Sequence, residues 1–231
     1  MFALLPFYFY YYVFHLAPNA QIVDLLVISI YSYGVAVCFA FSSATKSELP
    51  QDSTYYGNHI QEFAKFCNKL DYVGILVLMW GAGIPTIYYG FFCNPGLQML
   101  YWTSLYSAPS SLSVPAFGSP QFRHWRASFY AGFGLSSVVF IAHGLALHGW
   151  VLQKLRMSLA WMGWMATANL VGAVIYATRV PEKWLPYHFD IYGASHQIFH
   201  VAVIVAAYIH FWGLMESFLV IRSATHACSH A

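Results

Sequence analysis

The sequence predicts an all-α protein, a polytopic bundle of seven transmembrane helices, and three observations lead to that prediction. Hydrophobic residues make up 59% of the 231 positions and charged residues only 8%, whereas about a quarter of the residues of a soluble domain are charged. Apolar runs long enough to cross a bilayer recur along the chain. The net charge is only +2 at pH 7, so the composition gives no reason to expect nucleic acid as a partner.

Seven apolar stretches are predicted to span the membrane, because about 20 apolar residues cross the hydrocarbon core as a helix. They are residues 2–16, 22–45, 70–92, 97–114, 128–148, 158–178 and 192–220. Small residues recur within several of them, and such residues let helices approach closely in lipid. We therefore predict a single transmembrane domain over residues 1–231, with a cytoplasmic loop at 46–69 that contains a polar insert.

Lysine and arginine residues predict the orientation, since cytoplasmic loops carry an excess of them. The loops after the second, fourth and sixth spans contain seven, namely Lys46, Lys65, Lys69, Arg123, Arg126, Arg179 and Lys183. The opposite side contains three, namely Lys154, Arg156 and Arg222. We therefore expect the N-terminus in the cytoplasm and the C-terminus outside the cell or in a lumen. The first residues lack a charged region and a cleavage site, so we expect no cleaved signal peptide.

The cysteines give no local pairing signal. The four are widely separated and form no CxxC pair: Cys38, Cys67, Cys93 and Cys228. We interpret them as small apolar residues or unpaired surface thiols. On that interpretation they indicate no particular redox compartment.

A histidine pair stands at the start of the last predicted span, in the segment GASHQIFHVAVIVAAYIH. His196 and His200 are four residues apart, so on a helix they share a face at about 6 Å from each other. Neutral imidazole nitrogens bind zinc well, and ionisable groups inside a membrane are usually functional. The alternative is a pair of histidines that hydrogen-bond within the bundle or face lipid headgroups.

Asp71 opens the predicted third span and is expected at the same depth as the histidine pair. It has two interpretations. A carboxylate there is able to orient a metal ligand or a metal-bound water. Alternatively, an acidic residue in the first turn of a helix is stabilised by the helix dipole without a further role.

Haem is a third interpretation of the histidines. His196 and His210 are separated by fourteen residues, a spacing that suits bis-histidine haem proteins, but a matching pair on a second helix is required. The fifth span offers His143 and His148, only five residues apart, so we expect no haem. The remaining histidines that fall in predicted loops or the tail are expected to be solvated: His59, His124, His188, His226 and His230.

Five stretches carry a family resemblance: KLDYVGILVLMWGAGIPTIYYGFFC, SPQFRHWRASF, GLSSVVF, RVPEKW and FDIYGASHQIFHVAVIVAAYIHFWGL. With these stretches the chain, from about Phe63 to Phe218, resembles the progestin and adipoQ receptor family, also called the hemolysin-III (adiponectin receptor) family, and in particular its fungal members. The match covers about two-thirds of the chain in the family's order. By comparison with that family, the chain is expected to be truncated before the first span.

The resemblance implies a seven-helix protein with a cytosolic N-terminus and a zinc ion held near the cytoplasmic face by three histidines. Two of these match His196 and His200. The third belongs to an SxxxH motif at the end of the second span, whose serine matches Ser43, and a supporting aspartate matches Asp71. Family members are implied to act as hormone-type receptors, regulators of lipid and zinc homeostasis, and ceramide hydrolases.

The third ligand position departs from the family pattern. The segment SSATKSELPQDSTYYGNH places Ser47 there when counted from Ser43, and Thr54 when counted from Asp71. Neither side chain replaces an imidazole. Two explanations stay open: a splicing or gene-model error in the polar insert, or a divergent member with a weakened or empty site. His59 follows a proline and a turn signal, so we expect it in a loop.

The predicted function is that of a receptor-like integral membrane protein in lipid and zinc homeostasis signalling, in the plasma membrane or an endomembrane. If the zinc site is intact, we expect ceramidase-like amide hydrolysis, in which the metal activates water, Asp71 orients or deprotonates it and Ser43 lends a hydrogen bond. The expected partners are membrane lipids, such as a sphingolipid or fatty acid. The alternative is a non-catalytic receptor or scaffold with a defective or empty metal site.

Overall fold

A computed structural model describes residues 7–11, 19–44, 57–110, 123–184, 193–223 and 228. These residues form seven helices, and no strand occurs among them. The helices are α1 (7–11), α2 (Ile22–Ala44), α3 (Gly57–Gly90), α4 (Pro95–Ser110), α5 (Arg123–Arg156), α6 (Leu159–Thr178) and α7 (Ser195–Ser223). The all-α prediction is confirmed.

Five of these helices contain segments that are long and apolar enough to cross a membrane. The segments are Ile22–Ser42, Val73–Gly90, Gly132–Arg156, Leu159–Thr178 and Gln197–Ser223. They correspond to the second, third, fifth, sixth and seventh predicted spans. The other two predicted spans coincide with α4, which has 16 residues, and with α1, which is described only over residues 7–11.

Helix α3 begins earlier than predicted. It starts at Gly57 rather than at residue 70, and therefore takes in the second half of the predicted loop. Ile60, Phe63 and Cys67 recur at i, i+3 and i+7, a spacing typical of an amphipathic helix. A search for continuous hydropathy passes over such a segment. The placement of His59 in a loop was consequently wrong, because this residue lies in α3.

Helix α5 differs from the prediction at both ends. It begins at Arg123, so His124 is helical rather than in a loop, and it continues to Arg156. Gly149 interrupts it with φ 76° and ψ 166°, a backbone conformation that glycine adopts far more readily than other residues. The predicted span ended at residue 148, next to this interruption. The same position separates two compact units, Met1–His148 with Arg222–Ala231, and Gly149–Ile221.

In the first unit, α2 packs closely against α3. A Cβ atom at Gly34 would lie 2.9 Å from the carbonyl oxygen of Val77, and one at Gly81 would lie 3.2 Å from that of Ile30. The two backbones are therefore close enough that only glycine fits at these positions without a shift. Membrane helices commonly pack through small residues in this way.

A buried ion pair joins the first turn of α2 to the last turn of α7. Arg222 Nε donates to Asp24 Oδ2 at 2.8 Å, and the Asp24 side chain is fully buried. Tyr89 donates to Asp24 Oδ1 at 3.4 Å, and Arg222 Nη2 donates to the Tyr88 hydroxyl at 3.2 Å. The guanidinium also lies 5.1 Å from the ring centre of Phe92. Both charges thus have polar or aromatic partners, as buried ions require.

A disulfide joins Cys93, in the turn after α3, to Cys228, in the tail after α7. Their Cα atoms are 5.4 Å apart, although 135 residues separate them in sequence. The prediction of unpaired thiols was wrong for these two cysteines, because a pair so distant in sequence leaves no local spacing signal. Cys38, in contrast, is a buried thiol in α2, as predicted for a small apolar residue.

In the second unit, α6 packs against α7 through small residues. A Cβ atom at Gly172 would lie 2.7 Å from the Cβ of Ala202, and one at Gly213 would lie 2.8 Å from that of Trp161. The Ser158 hydroxyl, just before α6, is 3.1 Å from that of Ser217. These contacts hold α7, the helix with the histidine pair, against α6 along its length.

Candidate metal site

The histidine pair lies in the second unit, near the start of α7. The helix runs without interruption from Ser195 to Ser223, so His196 and His200 are one turn apart and share a face. The His200 side chain is half-buried, and its ring centre is 5.7 Å from that of Phe199. The position of the His196 side chain lies outside the described structure.

Groups outside α7 hold its first turn in place. The Ser195 backbone N–H donates to Glu182 Oε1 at 2.7 Å, and the Ser195 hydroxyl donates to the same oxygen at 2.9 Å. The Gln197 side chain accepts from the Gly193 N–H at 2.8 Å. Gly193 has φ +79°, a conformation that suits glycine. The chain therefore enters α7 through a defined geometry, directly before the first histidine.

The Glu182 carboxylate is stabilised in its ionised form. Desolvation opposes ionisation, but hydrogen bonds from its own backbone and from Ser195, together with the charge of Arg179, outweigh it and lower the pKa of Glu182. Sequence reasoning missed this residue. Its partner is thirteen residues away, so no local capping pattern reveals it, and the only signal was its place in the stretch RVPEKW.

The other two predicted site residues, Ser43 and Asp71, lie in the first unit. Ser43 is in the last turn of α2, as its predicted position required. Asp71 is inside α3 rather than in its first turn, which begins at Gly57. Because the helix-dipole effect falls off within the first turn, it no longer accounts for an aspartate here. The side-chain positions of both residues lie outside the described structure.

The residues predicted to stand at the third ligand position, Ser47 and Thr54, also lie outside the described part of the chain. Among the described side chains, no group of three or more histidine, cysteine, aspartate or glutamate residues is arranged to hold a metal. The described side chains do not include those of His196 and Asp71. The donor set is therefore assessed by its chemistry, and two imidazoles one helical turn apart suit zinc.

His143 and His148 occupy a different environment, in the first unit. His143 Nδ1 lies 2.6 Å from the Tyr101 hydroxyl, and His148 Nε2 lies 3.1 Å from Asn94 Nδ2. The centre of the Phe91 ring is 6.2 Å and 6.3 Å from the two imidazole centres. Each imidazole thus pairs with an uncharged side chain of another element.

Comparison with known proteins finds a family model and relatives that agree with one another. The family model described as haemolysin-III related matches residues 1–211. The adiponectin receptor protein of Drosophila melanogaster is 36% identical over 211 residues, which are 89% of this chain and 46% of that protein. A progestin and adipoQ receptor-like protein of Caenorhabditis elegans is 32% identical over 86% of this chain and 45% of its own length.

A fungal relative is as similar to this chain as the Caenorhabditis elegans protein is. The ADIPOR-like receptor IZH2 of Saccharomyces cerevisiae is 32% identical over 203 residues, which are 86% of this chain and 62% of that protein. The chain thus spans about half the length of the animal relatives that it matches, and somewhat more of the yeast relative.

Proposed function

This chain belongs to the haemolysin-III-related family, and we propose that it acts in lipid and zinc homeostasis signalling through a zinc site near the cytoplasmic face. It is an integral, multi-pass membrane protein similar to adiponectin receptors. The observation that carries the proposal is the His196/His200 pair, one turn apart at the start of an apolar helix. Imidazoles at that spacing suit a zinc ion.

A third protein ligand is needed, because catalytic zinc usually keeps three protein ligands and one open position. The resemblance to the family offers two candidates, Asp71 and His59, both of which lie in α3. They are twelve residues apart, which at 1.5 Å per residue is about 18 Å along the helix. One ion cannot bind both, so they are alternatives. Asp71 is our choice, because it matches the family's supporting aspartate.

The chemistry that fits this donor set is hydrolysis of an N-acyl sphingoid lipid entering from the bilayer. A zinc ion held by His196 and His200 would supply Lewis-acid activation of water and of the amide carbonyl. As third ligand, Asp71 would orient the attacking water, and a proton of that water ends on the departing amine nitrogen. After the C–O bond to the acyl carbon has formed, the C–N bond breaks, leaving a fatty acid and a sphingoid base. Ser43 donates a hydrogen bond to the substrate.

A non-catalytic receptor or scaffold is the second candidate. It is favoured by the polar insert, in which serine or threonine stands where the family has its third histidine. Removing one of three ligands weakens zinc binding and leaves Asp71 to complete the set. A receptor that signals through its ligand-dependent conformation needs neither catalysis nor, in this chain, a resident metal.

Hydrolysis of a fluorescent ceramide by the purified protein in detergent separates the two candidates. We expect release of the labelled fatty acid by the wild-type protein, and loss of this activity in Asp71→Asn and in the His196→Ala/His200→Ala variant. The matched variant His59→Ala should keep the activity. A wild-type protein with no turnover favours the receptor or scaffold, and loss of activity in His59→Ala alone transfers the third-ligand role to His59.

Two independent observations support a cytoplasmic N-terminus. The predicted cytoplasmic loops carry seven of the ten lysine and arginine residues. The cysteines that form the disulfide, Cys93 and Cys228, lie in the turn after α3 and in the tail after α7, on the side predicted to face away from the cytosol. Disulfides persist in oxidising compartments and are rare in the cytosol. We therefore propose that the C-terminal tail faces the cell exterior or a lumen.

A further inference from the structure

The turn that follows α6 reaches the start of α7. The Arg179 carbonyl accepts the Lys183 N–H at 2.8 Å, and the Pro181 carbonyl accepts the Trp184 N–H at 2.9 Å. These bonds close the turn around Glu182. From this turn the Glu182 carboxylate receives both the backbone and hydroxyl hydrogens of Ser195, thirteen residues further along the chain.

These two bonds satisfy donors that a helix cannot satisfy itself. The first N–H groups of an α-helix lack intrahelical acceptors, and a carboxylate at that end is favoured by the helix dipole. Ser195 is 4% exposed, so in the intact protein its donors rely on Glu182 rather than on water. Loss of the carboxylate would remove this fixed acceptor and loosen the first turn, in which Ser195 directly precedes His196.

We propose that Glu182 is a positioning residue for the zinc ligands: by holding Ser195, it keeps His196 in helical register with His200 so that both imidazoles face one ion. This inference rests on the proposed zinc site. The pair shares a face only while the backbone between the two histidines is helical. His196 lies at the end that frays, whereas His200 is a full turn inside.

The test is zinc affinity measured by competition with a chromophoric chelator, on the full chain in detergent. We expect Glu182→Ala to bind zinc about tenfold more weakly than the wild type, the scale of losing a helix cap. Glu182→Gln retains an oxygen acceptor for Ser195 and should restore most of the affinity. Glu216→Ala is the matched control, because it removes the carboxylate that accepts from Trp161 at the far end of the same helix.

Cobalt substitution gives a readout that general destabilisation does not move. With Co²⁺ in place of zinc, the visible absorption bands report the geometry of the ligands. We expect shifted or weakened bands in Glu182→Ala, and wild-type bands in Glu182→Gln and Glu216→Ala. If Glu182→Ala does not accumulate as folded protein, Ser195→Ala removes only the hydroxyl bond and should weaken zinc binding about threefold.

The outcomes separate the inference from the proposed function. A wild-type protein that binds zinc through the histidine pair, with unchanged affinity and cobalt spectrum in Glu182→Ala, overturns the role of Glu182 and leaves the zinc site standing. Equal losses in Glu182→Ala and Glu216→Ala also overturn it, since they indicate general destabilisation of α7. A wild-type protein without a zinc site overturns both.

Discussion

At the scale of single residues, buried and partly buried charged side chains form the contacts that fix the start of α2 and both ends of α7. Asp24 is fully buried and meets Arg222, while Glu182 meets Ser195 at the opposite end of α7. Neither contact follows from hydropathy, since the partners are far apart in sequence. The sequence indicated the charges themselves, but pairing over 198 residues depends on the tertiary fold.

Removing one partner of the buried ion pair should be costly. We expect Arg222→Ala to lower the free energy of unfolding by about 3–5 kcal/mol, because it leaves Asp24 buried without its counter-ion. The double variant Asp24→Ala/Arg222→Ala should be more stable than Arg222→Ala alone. Thermal unfolding in detergent, followed by size-exclusion fluorescence, measures both. A single variant as stable as the wild type would show that the pair is not formed.

The lowered pKa of Glu182 predicts a pH dependence at the start of α7. A carboxyl whose folded pKa lies below its ordinary value of about 4.3 stabilises the fold above that value, and this contribution is lost as the pH falls through the lower, folded pKa. The protection factor of the Ser195 amide against hydrogen exchange, which normalises the rate to its intrinsic value at each pH, should therefore fall on acidification below about pH 4.3. In Glu182→Gln that fall in protection should be absent, and an identical pH profile of the protection factor in the variant contradicts the assignment.

At the scale of helices, the sequence predicted the apolar centres better than the ends. The spans within α2, α6 and α7 follow from continuous hydropathy. The early start of α3 does not, because residues 57–69 are polar enough to resemble a loop although their apolar residues recur at helical spacing. Asp71 therefore does not lie at the start of the helix, and the helix dipole does not explain an aspartate at that position.

The close contact between α2 and α3 gives a test by glycine substitution. We expect Gly34→Ala to destabilise the protein by about 1–3 kcal/mol, since its new Cβ would meet the Val77 carbonyl at 2.9 Å. Gly132→Ala, in α5, is the control: its Cβ would meet no described atom within 4 Å, so it should be neutral or slightly stabilising. Thermal unfolding of the two variants gives the comparison, and equal melting temperatures would argue against this packing.

At the scale of the whole molecule, composition was sufficient to predict a multi-pass membrane protein. The family resemblance was sufficient to predict the family to which it belongs. The disulfide was not predictable, because Cys93 and Cys228 are adjacent only after the chain has folded. The third ligand of the proposed zinc site could not be predicted for another reason. The polar insert separates Ser43 from the residues that follow it in the family pattern, so position in sequence no longer identifies one ligand.

The disulfide leads to two predictions, one for the compartment that its cysteines face and one for the stability of the protein. Thiol labelling of intact cells without reductant should leave Cys93 and Cys228 unmodified, and reduction should make both accessible to a membrane-impermeant reagent. Cys93→Ser should lower the free energy of unfolding by about 4 kcal/mol, as expected for a long closed loop. Cys67→Ser is the control and should leave the reduction-dependent labelling unchanged. Labelling that needs permeabilisation but no reductant would place this side in the cytosol and contradict the account, whereas labelling that needs both would place it in an organelle lumen.

The most direct test of the central claim is zinc stoichiometry by elemental analysis of the purified protein, beside the His196→Ala/His200→Ala variant. We predict near one zinc per chain in the wild type and none in the variant. That result would mean that a group other than the family's third histidine completes the site. Absence of zinc from both proteins would contradict the account, and would mean that the polar insert has left a receptor-like chain without its metal.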